Sequence, residues 1–313
     1  MPLIGLDWGS TRLRAMRLGA GGEVLELRES GAGASTLHGR ADEFVAALDA
    51  LVADWHALPG PVLACGMVGS QHGWRELPYA DCPADASTLM RLSLNVDWRG
   101  RPVRLLPGLR CTTAAGAPDL MRGEETQVLG ALQQAPALAE QACLVLPGTH
   151  SKWARVQGGR VTGFTTQMTG ELFAVLRQHS VLGRLMPAPT QDARETRDAH
   201  EAFNEGVAAA RDHGDAGLPH QLFSVRSLGL AGRIAPPDLA EYLSGLLIGH
   251  ELRAGLAWRA QSGLGAAPLR LIGEPALCAR YAQGLALFGA ADTPVLSNTA
   301  PAGLWRLAQE GGL

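Results

Sequence analysis

The stretch GLDWGSTRLRAMRL, residues 5–18, sets Asp7, Gly9, Ser10 and Thr11 within five positions of a strand-like run. Aspartate is depleted in strands and costly to bury alone, so Asp7 needs solvent, a donor or a metal beside it. Gly9 lets the backbone approach an anion closely, while the Ser10 and Thr11 hydroxyls and successive N–H groups can donate to phosphate oxygens. Asp7 can hold a magnesium ion through water, because small hard cations prefer carboxylate oxygens. A plain tight turn with a capping aspartate is the alternative that this stretch leaves open.

A second turn has the same chemistry. LPGTHSKW, residues 146–153, again places Gly148, Thr149 and Ser151 between two strand-like runs. It also carries Lys152, the one lysine among 27 basic residues. A compact ammonium there can neutralise charge on a transferring phosphoryl group, the task on which such catalysis depends; a solvated strand lysine is the alternative. His150 alternates to the same face as Lys152. Two phosphate-friendly hairpins suggest a nucleotide held between two lobes. RGEETQ, residues 122–127, adds Glu124 and Glu125 at the start of a predicted helix, as a general base, an outer magnesium ligand or simply acids favoured by the helix dipole. LIGEPALCARYAQGLALFG, residues 271–289, reads as strand, Gly-x-Pro loop (Gly273, Pro275) and helix, with flat backbone where an adenine could stack.

These residues need elements to hold them. The first thirty residues alternate as a three-strand antiparallel meander, followed by a helix over 41–58 and a buried strand over 61–69, giving β-β-β-α-β. A strand is predicted within 101–109, a loop at 110–119 and a helix over 120–134. Strands at 143–146, 151–156 and 161–165 then repeat the opening pattern, with a helix from Thr169. The polar stretch 187–203 reads as a loop leading into a helix. Helix 238–258, strand 269–273, helix 277–289, a strand near 293–297 and a short helix near Trp305 complete the chain. Helix 238–258 carries Asp238, Glu241, His250, Glu251 and Arg253, so it reads as a buried helix of a water-soluble protein rather than a membrane span.

Composition narrows the function classes. With 313 residues, 46% hydrophobic, 18% charged and a net charge of −3, the chain has material for two lobes and no strong attraction for nucleic acid. Five cysteines without a Cys-x-x-Cys pair argue against a zinc knuckle or disulfide framework and for a reduced cytoplasm. The start MPLIGLDWG lacks the pattern of a secretory leader. There is no P-loop, dinucleotide fingerprint or H-E-x-x-H motif.

The motifs GLDWGSTRLRA, CGMVGSQHGWRELPY, RGEETQVLGAL, LPGTHSKW, TTQMTGELFAVLRQHSVLG and LSGLLIGHELRAGL, in this order, resemble those of the 2-dehydro-3-deoxygalactonokinase family. That family lies within the sugar kinase, heat-shock chaperone and actin superfamily. The resemblance implies an α/β fold of two similar lobes of the actin-like ATPase (ribonuclease H-like) type with an interlobe cleft. The lobes would span residues 1–140, with the first phosphate hairpin and acceptor loops, and 141–313, with the second hairpin and adenosine segment. It further implies transfer of the ATP γ-phosphoryl group, with Mg2+, to the 6-hydroxyl of 2-dehydro-3-deoxy-D-galactonate in galactonate catabolism. The partners would be ATP and a small sugar acid, with no nucleic acid or membrane, and a homodimer is compatible with the resemblance. Asp7, Gly9, Ser10 and Thr11 match the first phosphate motif, with Asp7 also the metal residue. Gly148, Thr149, His150, Ser151 and Lys152 occupy the second, and Gly273 and Pro275 the adenosine motif. Position 10 is Ser where the family more usually has Thr. The second motif lacks the aspartate of many superfamily members, so the paired glutamates, which resemble those of exopolyphosphatase-like relatives, make Glu124 the first candidate base. Arg12, Arg14, Ser70, Gln71, Trp74 and Glu171 are the expected suppliers of acceptor contacts. An exopolyphosphatase-like phosphohydrolase and a non-catalytic nucleotide sensor of the same fold are the rival readings.

Overall fold

The computed structural model describes residues 2–188 and 197–313. Its elements up to the second hairpin are β1 (Leu3–Trp8), β2 (Leu13–Leu18), β3 (Val24–Ser30), α1 (Ala41–Val52), β4 (Val62–Gly66), β5 (Ala80–Asp81), α2 (Ala86–Leu92), β6 (Leu94–Trp98), β7 (Arg101–Leu105), β8 (Leu109–Thr112), β9 (Pro118–Met121) and α3 (Glu124–Gln134). Then follow β10 (Gln141–Leu146), β11 (Ser151–Gln157), β12 (Arg160–Gln167), α4 (Thr169–His179), α5 (Arg197–His213), α6 (Leu218–Leu230), α7 (Leu239–Gln261), β13 (Leu269–Ile272), α8 (Pro275–Leu287), β14 (Val295–Leu296) and α9 (Ala300–Glu310). The chain forms two compact units, one of residues 1–144, 154–165 and 296–313, the other of 145–153 and 166–295.

In the first unit a six-stranded sheet has the order β3-β2-β1-β4-β7-β6. The opening meander is as expected: β1 pairs antiparallel with β2, and β2 with β3. β1 pairs parallel with β4 on its other side, which makes it an interior strand. Alternation along β1 sends Ile4, Leu6 and Trp8 into a core shared with Phe44 and Leu48 of α1. Trp8, Phe44 and Trp74 meet there, with ring centroids 5.1 to 6.1 Å apart.

Three expectations for the first unit change. Residues 110–119 are not a plain loop: β8 and β9 form an antiparallel hairpin, closed by a turn in which Gly116 takes φ +82°. The helix predicted from Leu120 starts at Glu124, because Leu120 and Met121 end β9 and Gly123 turns the chain at φ +110°. Residues 141–144, 154–165 and 296–313, expected in the second lobe, belong to the first unit. For the last of these the reason is packing: α9 buries Ala300, Gly303, Leu304, Leu307 and Ala308. It lies so close to α3 that a Cβ on Gly130 would sit 1.8 Å from the Thr299 carbonyl, and one on Gly303 1.9 Å from that of Thr126.

The second unit is mostly helical. α7 is the helix expected over 238–258, and its buried face includes Leu243, Leu246, Leu247 and Leu252. Gly245 and Gly249, one turn apart, bring α5 onto it: a Cβ on Gly245 would lie 2.0 Å from the Phe203 carbonyl. α6 was not foreseen. Of the predicted loop 187–203, residues 189–196 lie outside the described residues, and α5 begins at Arg197. A five-stranded sheet has the order β12-β11-β10-β13-β14, and the division between units passes through four of its strands, β10, β11, β12 and β14. Among the described residues, no helix is long and apolar enough to cross a membrane.

The α3–α9 contact tolerates no side chain at its closest point. Gly130→Ala should cost about 1–3 kcal/mol through overpacking, lowering Tm by at least about 2 °C in thermal unfolding. Gly265→Ala, whose Cβ would meet nothing within 4 Å, should leave Tm within about 1 °C.

Candidate active site

In the first unit Asp7 lies one residue from the end of β1, opposite Arg14 on β2 and Cys65 on β4. Its Oδ2 is 3.4 Å from Arg14 Nη1, and Arg14 also meets Glu29 Oε1 at 3.0 Å. Burial raises the Asp7 pKa, and the Arg14 guanidinium works against that rise. The Gly9–Arg12 turn is tight: Gly9 N–H donates to the Arg12 carbonyl at 2.9 Å. Ser10, Thr11 and Arg12 are exposed on it. The turn is braced from behind, where Ala34 N–H donates to the Gly9 carbonyl and Ser35 N–H to that of Ser10.

α3 begins beside β4, where a Cβ on Gly123 would lie 3.3 Å from the Gly66 Cα. Both glutamates fold back on the backbone ahead of the helix. Glu124 Oε2 accepts from Arg122 N–H at 3.0 Å, and Glu125 Oε2 from Gly123 N–H at 2.7 Å. They differ in access: Glu124 is partly exposed, while Glu125 is fully buried. Burial, and next the neighbouring Glu124 charge, push the Glu125 pKa up to about 8. Of the pair, Glu124 is thus the member that solvent reaches. Cys65, fully buried, feels both the Asp7 and Glu125 charges and is pushed well above its usual range, chiefly by burial.

The acceptor candidates on the 69–79 loop divide. Ser70 is half-buried and Gln71 exposed. Trp74 is a correction: its ring stacks on Phe44 and meets Trp8 edge-on, so it builds the core rather than a substrate surface. An aromatic residue in a polar loop looks the same in sequence whichever way it points.

In the second unit the turn between β10 and β11 exposes Thr149 and His150 and half-exposes Gly148. A Cβ on Gly148 would meet nothing within 4 Å, so packing within the protein does not require glycine there. The start of α4 seats on this turn, with Glu171 N–H donating to the Thr149 carbonyl at 3.0 Å. His150 Nε2 pairs with the Glu171 carboxylate. Ser151 is a correction to the phosphate-donor reading: it is fully buried, and its hydroxyl bonds Tyr281 at 2.9 Å and accepts from Gly148 N–H at 3.2 Å. Lys152 is likewise not a solvated strand residue. It is 4% exposed, and its Nζ donates to Thr166 Oγ1 at 2.9 Å. His150 does not share its face, because His150 lies in the turn before β11 begins.

A cavity of about 600 Å³ opens beside this turn. Gly148 and Thr149 line it together with Thr169, Ser244, Glu274 and Tyr281. Gly273, at φ +145°, follows β13, and a Cβ there would lie 3.7 Å from the Pro147 carbonyl. Pro275 takes the first position of α8, where its missing N–H is no loss, and Glu274 caps the helix by accepting from Ala276 and Leu277 N–H. Sequence reasoning passed over Glu274, and also Glu241 and Arg280, which pair at 2.7 Å on the cavity wall.

The raised Glu125 pKa has a stability consequence. The folded protein keeps a proton there that the unfolded chain loses near pH 4.5, so this group's contribution falls as pH rises from about 4.5 to about 8. Glu125→Gln removes the titration, so the Tm of the variant minus that of the wild type should grow steadily more positive between pH 5 and pH 8. A constant difference would contradict the assignment.

The profile of the 2-keto-3-deoxy-galactonokinase family matches residues 7–307. A 2-dehydro-3-deoxygalactonokinase of Escherichia coli (strain K12) is 36% identical over 297 residues, 95% of this chain and 94% of its own. A crystal structure described as a 2-dehydro-3-deoxygalactonokinase protein from Sinorhizobium meliloti has a TM-score of 0.83 at 31% identity, covering 98% of this chain and 96% of that one. One described as an N-acetylglucosamine kinase from Porphyromonas gingivalis, 14% identical, has a TM-score of 0.50, covers 99% of this chain and all of that one, and shares the fold. The α/β fold of sugar kinases of the actin-like ATPase type, expected from the motifs, therefore stands. The chain belongs to the 2-keto-3-deoxy-galactonokinase family of sugar kinases, phosphotransferases with an alcohol group as acceptor.

Proposed function

We propose that this protein transfers the γ-phosphoryl group of ATP to the 6-hydroxyl of 2-dehydro-3-deoxy-D-galactonate, in galactonate catabolism. The observation that carries this reading is the family match over residues 7–307, a span that includes both turns, the paired glutamates and the Gly-x-Pro loop. Phosphoryl transfer asks a protein for positioning and charge stabilisation rather than covalent chemistry.

Each candidate residue then has a task that its surroundings support. The exposed Ser10 and Thr11 hydroxyls, with Gly9, offer donors to phosphate oxygens. Gly148 leaves room for close approach, and Thr149 and His150 are exposed donors on the second turn. Lys152, buried behind that turn, adds positive potential in a low-dielectric setting. A cavity of about 600 Å³ between α4, α7 and α8 suits an adenosine; of the Gly273–Pro275 loop, Glu274 lines it, while Gly273 and Pro275 flank that residue in the chain. Arg12, Arg14, Ser70, Gln71 and Glu171 supply charged and polar groups for the acceptor's hydroxyls and carboxylate. Glu124 accepts the proton of the acceptor hydroxyl.

Magnesium fits the donor set. Mg2+ usually keeps several waters and takes one or two carboxylates plus substrate phosphates. Asp7 provides one half-buried carboxylate, and among the described residues no group of three or more His, Cys, Asp or Glu forms a protein cage. When bound, the ion would neutralise phosphate charge. Asp7 would hold it, while Arg14, 3.4 Å from its Oδ2, orients the carboxylate and works against the rise in its pKa that burial causes.

The test is ADP formation by the purified protein with Mg-ATP and the galactonate-derived acid, its gluconate epimer or no acceptor. Dependence on the galactonate compound is expected. Equal ADP release without acceptor would instead support the phosphohydrolase reading, and nucleotide binding without turnover the sensor. Asp7→Ala should lower turnover more than about a hundredfold while leaving the thermal transition in place, and retention of most activity would remove Asp7 from the mechanism.

A further inference from the structure

Glu251 lies in the middle of α7 and is 2% exposed. Three donors from three other elements converge on it. Trp153 Nε1 of β11 reaches Oε1 at 3.0 Å, Tyr281 OH of α8 reaches Oε2 at 2.6 Å, and Thr169 Oγ1, at the start of α4, also reaches Oε2. Its charge is not used by any step described above. Burial raises its pKa, and side-chain hydrogen bonds from Thr169, Tyr281, Trp153 and Ser151 pull it down.

The direction of these bonds has a consequence at the second turn. Tyr281 OH gives its single proton to Glu251 Oε2. The Tyr281 oxygen is then left to accept, and Ser151 Oγ, 2.9 Å away, donates to it. Ser151 Oγ also accepts the Gly148 N–H at 3.2 Å and lies 3.4 Å from the Gly148 carbonyl, so it meets both polar groups of that residue. A chain of hydrogen bonds thus links the Gly148 N–H through Ser151 and Tyr281 to Glu251. It draws one amide of the turn inward, fixing the peptide plane at Gly148. Thr169 and Tyr281 also line the cavity beside that turn.

We infer that Glu251 is a positioning residue for nucleotide binding, setting the backbone of the Gly148–Ser151 turn through Tyr281 and Ser151 without itself touching ligand. The inference rests on the reading of this turn and its cavity as the nucleotide site. A carboxylate buried only to tie helices together would affect stability alone, whereas one that orders the turn affects nucleotide affinity.

The experiment uses the full chain with Glu251→Gln, Tyr281→Phe, Ser151→Ala and the pairwise double variants. Mg-ADP affinity is measured by calorimetry, and KM for ATP and for the acceptor by steady-state kinetics. Each single variant should weaken Mg-ADP binding and raise KM for ATP by about tenfold, the order expected for a lost hydrogen bond to a charged group. KM for the acceptor should stay within about twofold. The double variants should be little weaker than the weaker single, because all three residues act through one chain. Single variants that bind Mg-ADP as the wild type does, with only Tm lowered, would overturn the inference, as would double variants whose effects multiply. If Glu251→Gln fails to fold, the Tyr281→Phe and Ser151→Ala cycle decides by the same criteria. Wild-type protein that binds Mg-ADP without acceptor-dependent turnover would overturn the kinase reading alone, and the affinities would still decide the role of Glu251. Wild-type protein that binds no Mg-ADP would overturn both.

Discussion

A charged group can leave water only where its hydrogen-bonding capacity is met, and much of this structure is arranged around a few such groups. Glu251 takes donors from three elements besides its own. Lys152 is placed against Thr166, and Asp7 against Arg14. Each of these pairings joins residues that are far apart in sequence or on adjacent strands, so satisfying the charge also sets the spacing of the elements that bear it. Apolar packing alone would leave that spacing looser, since volume-conserving exchanges in a core cost little.

The two glycine turns have similar residue types and different constructions. The first holds its hydroxyls outward and is braced by main-chain bonds from Ala34 and Ser35. The second turns a serine inward and is braced by side chains, through Ser151 and Tyr281. One turn is therefore shaped by a neighbouring segment of backbone, the other by an aromatic hydroxyl on a helix 130 residues later. The sequence GTHSK does not distinguish them, because it fixes which groups are present and leaves their direction to tertiary context.

That difference marks how far the sequence could be read. The β1–β2–β3 meander, α1, β4 and α7 are legible because long runs with a clean period of two or 3.6 leave few alternatives. The β8–β9 hairpin is not, since strands of four residues are too short to show alternation. α9 is legible as a helix but its place in the first unit is not, because its partner α3 is recognisable only from the close approach of Gly130 and Gly303. Asp7, the two turns and the paired glutamates were singled out from residue type and order. Which glutamate is accessible was not, as both occupy the first turn of the same helix and burial alone separates them. Glu251 and Tyr281 gave no signal at all. A glutamate amid apolar positions of a long helix reads as an interruption, and its donors stand 30, 82 and 98 residues away.

The place of α9 also bears on how the chain acquires its fold. Thr299 Oγ1 donates to the Gln127 carbonyl, a contact spanning 172 residues, and Leu304 approaches Gly5 of the first strand. A ribosome delivers residues 1–144 first, yet the helix that covers this face of α3 and β1 emerges only after the whole second unit has been made. During that interval, roughly ten seconds or more at ordinary elongation rates, the face of α3 around Thr126 and Gly130 lacks its cover. The first unit is thus begun early and finished last, and its nascent form is the one a chaperone would meet.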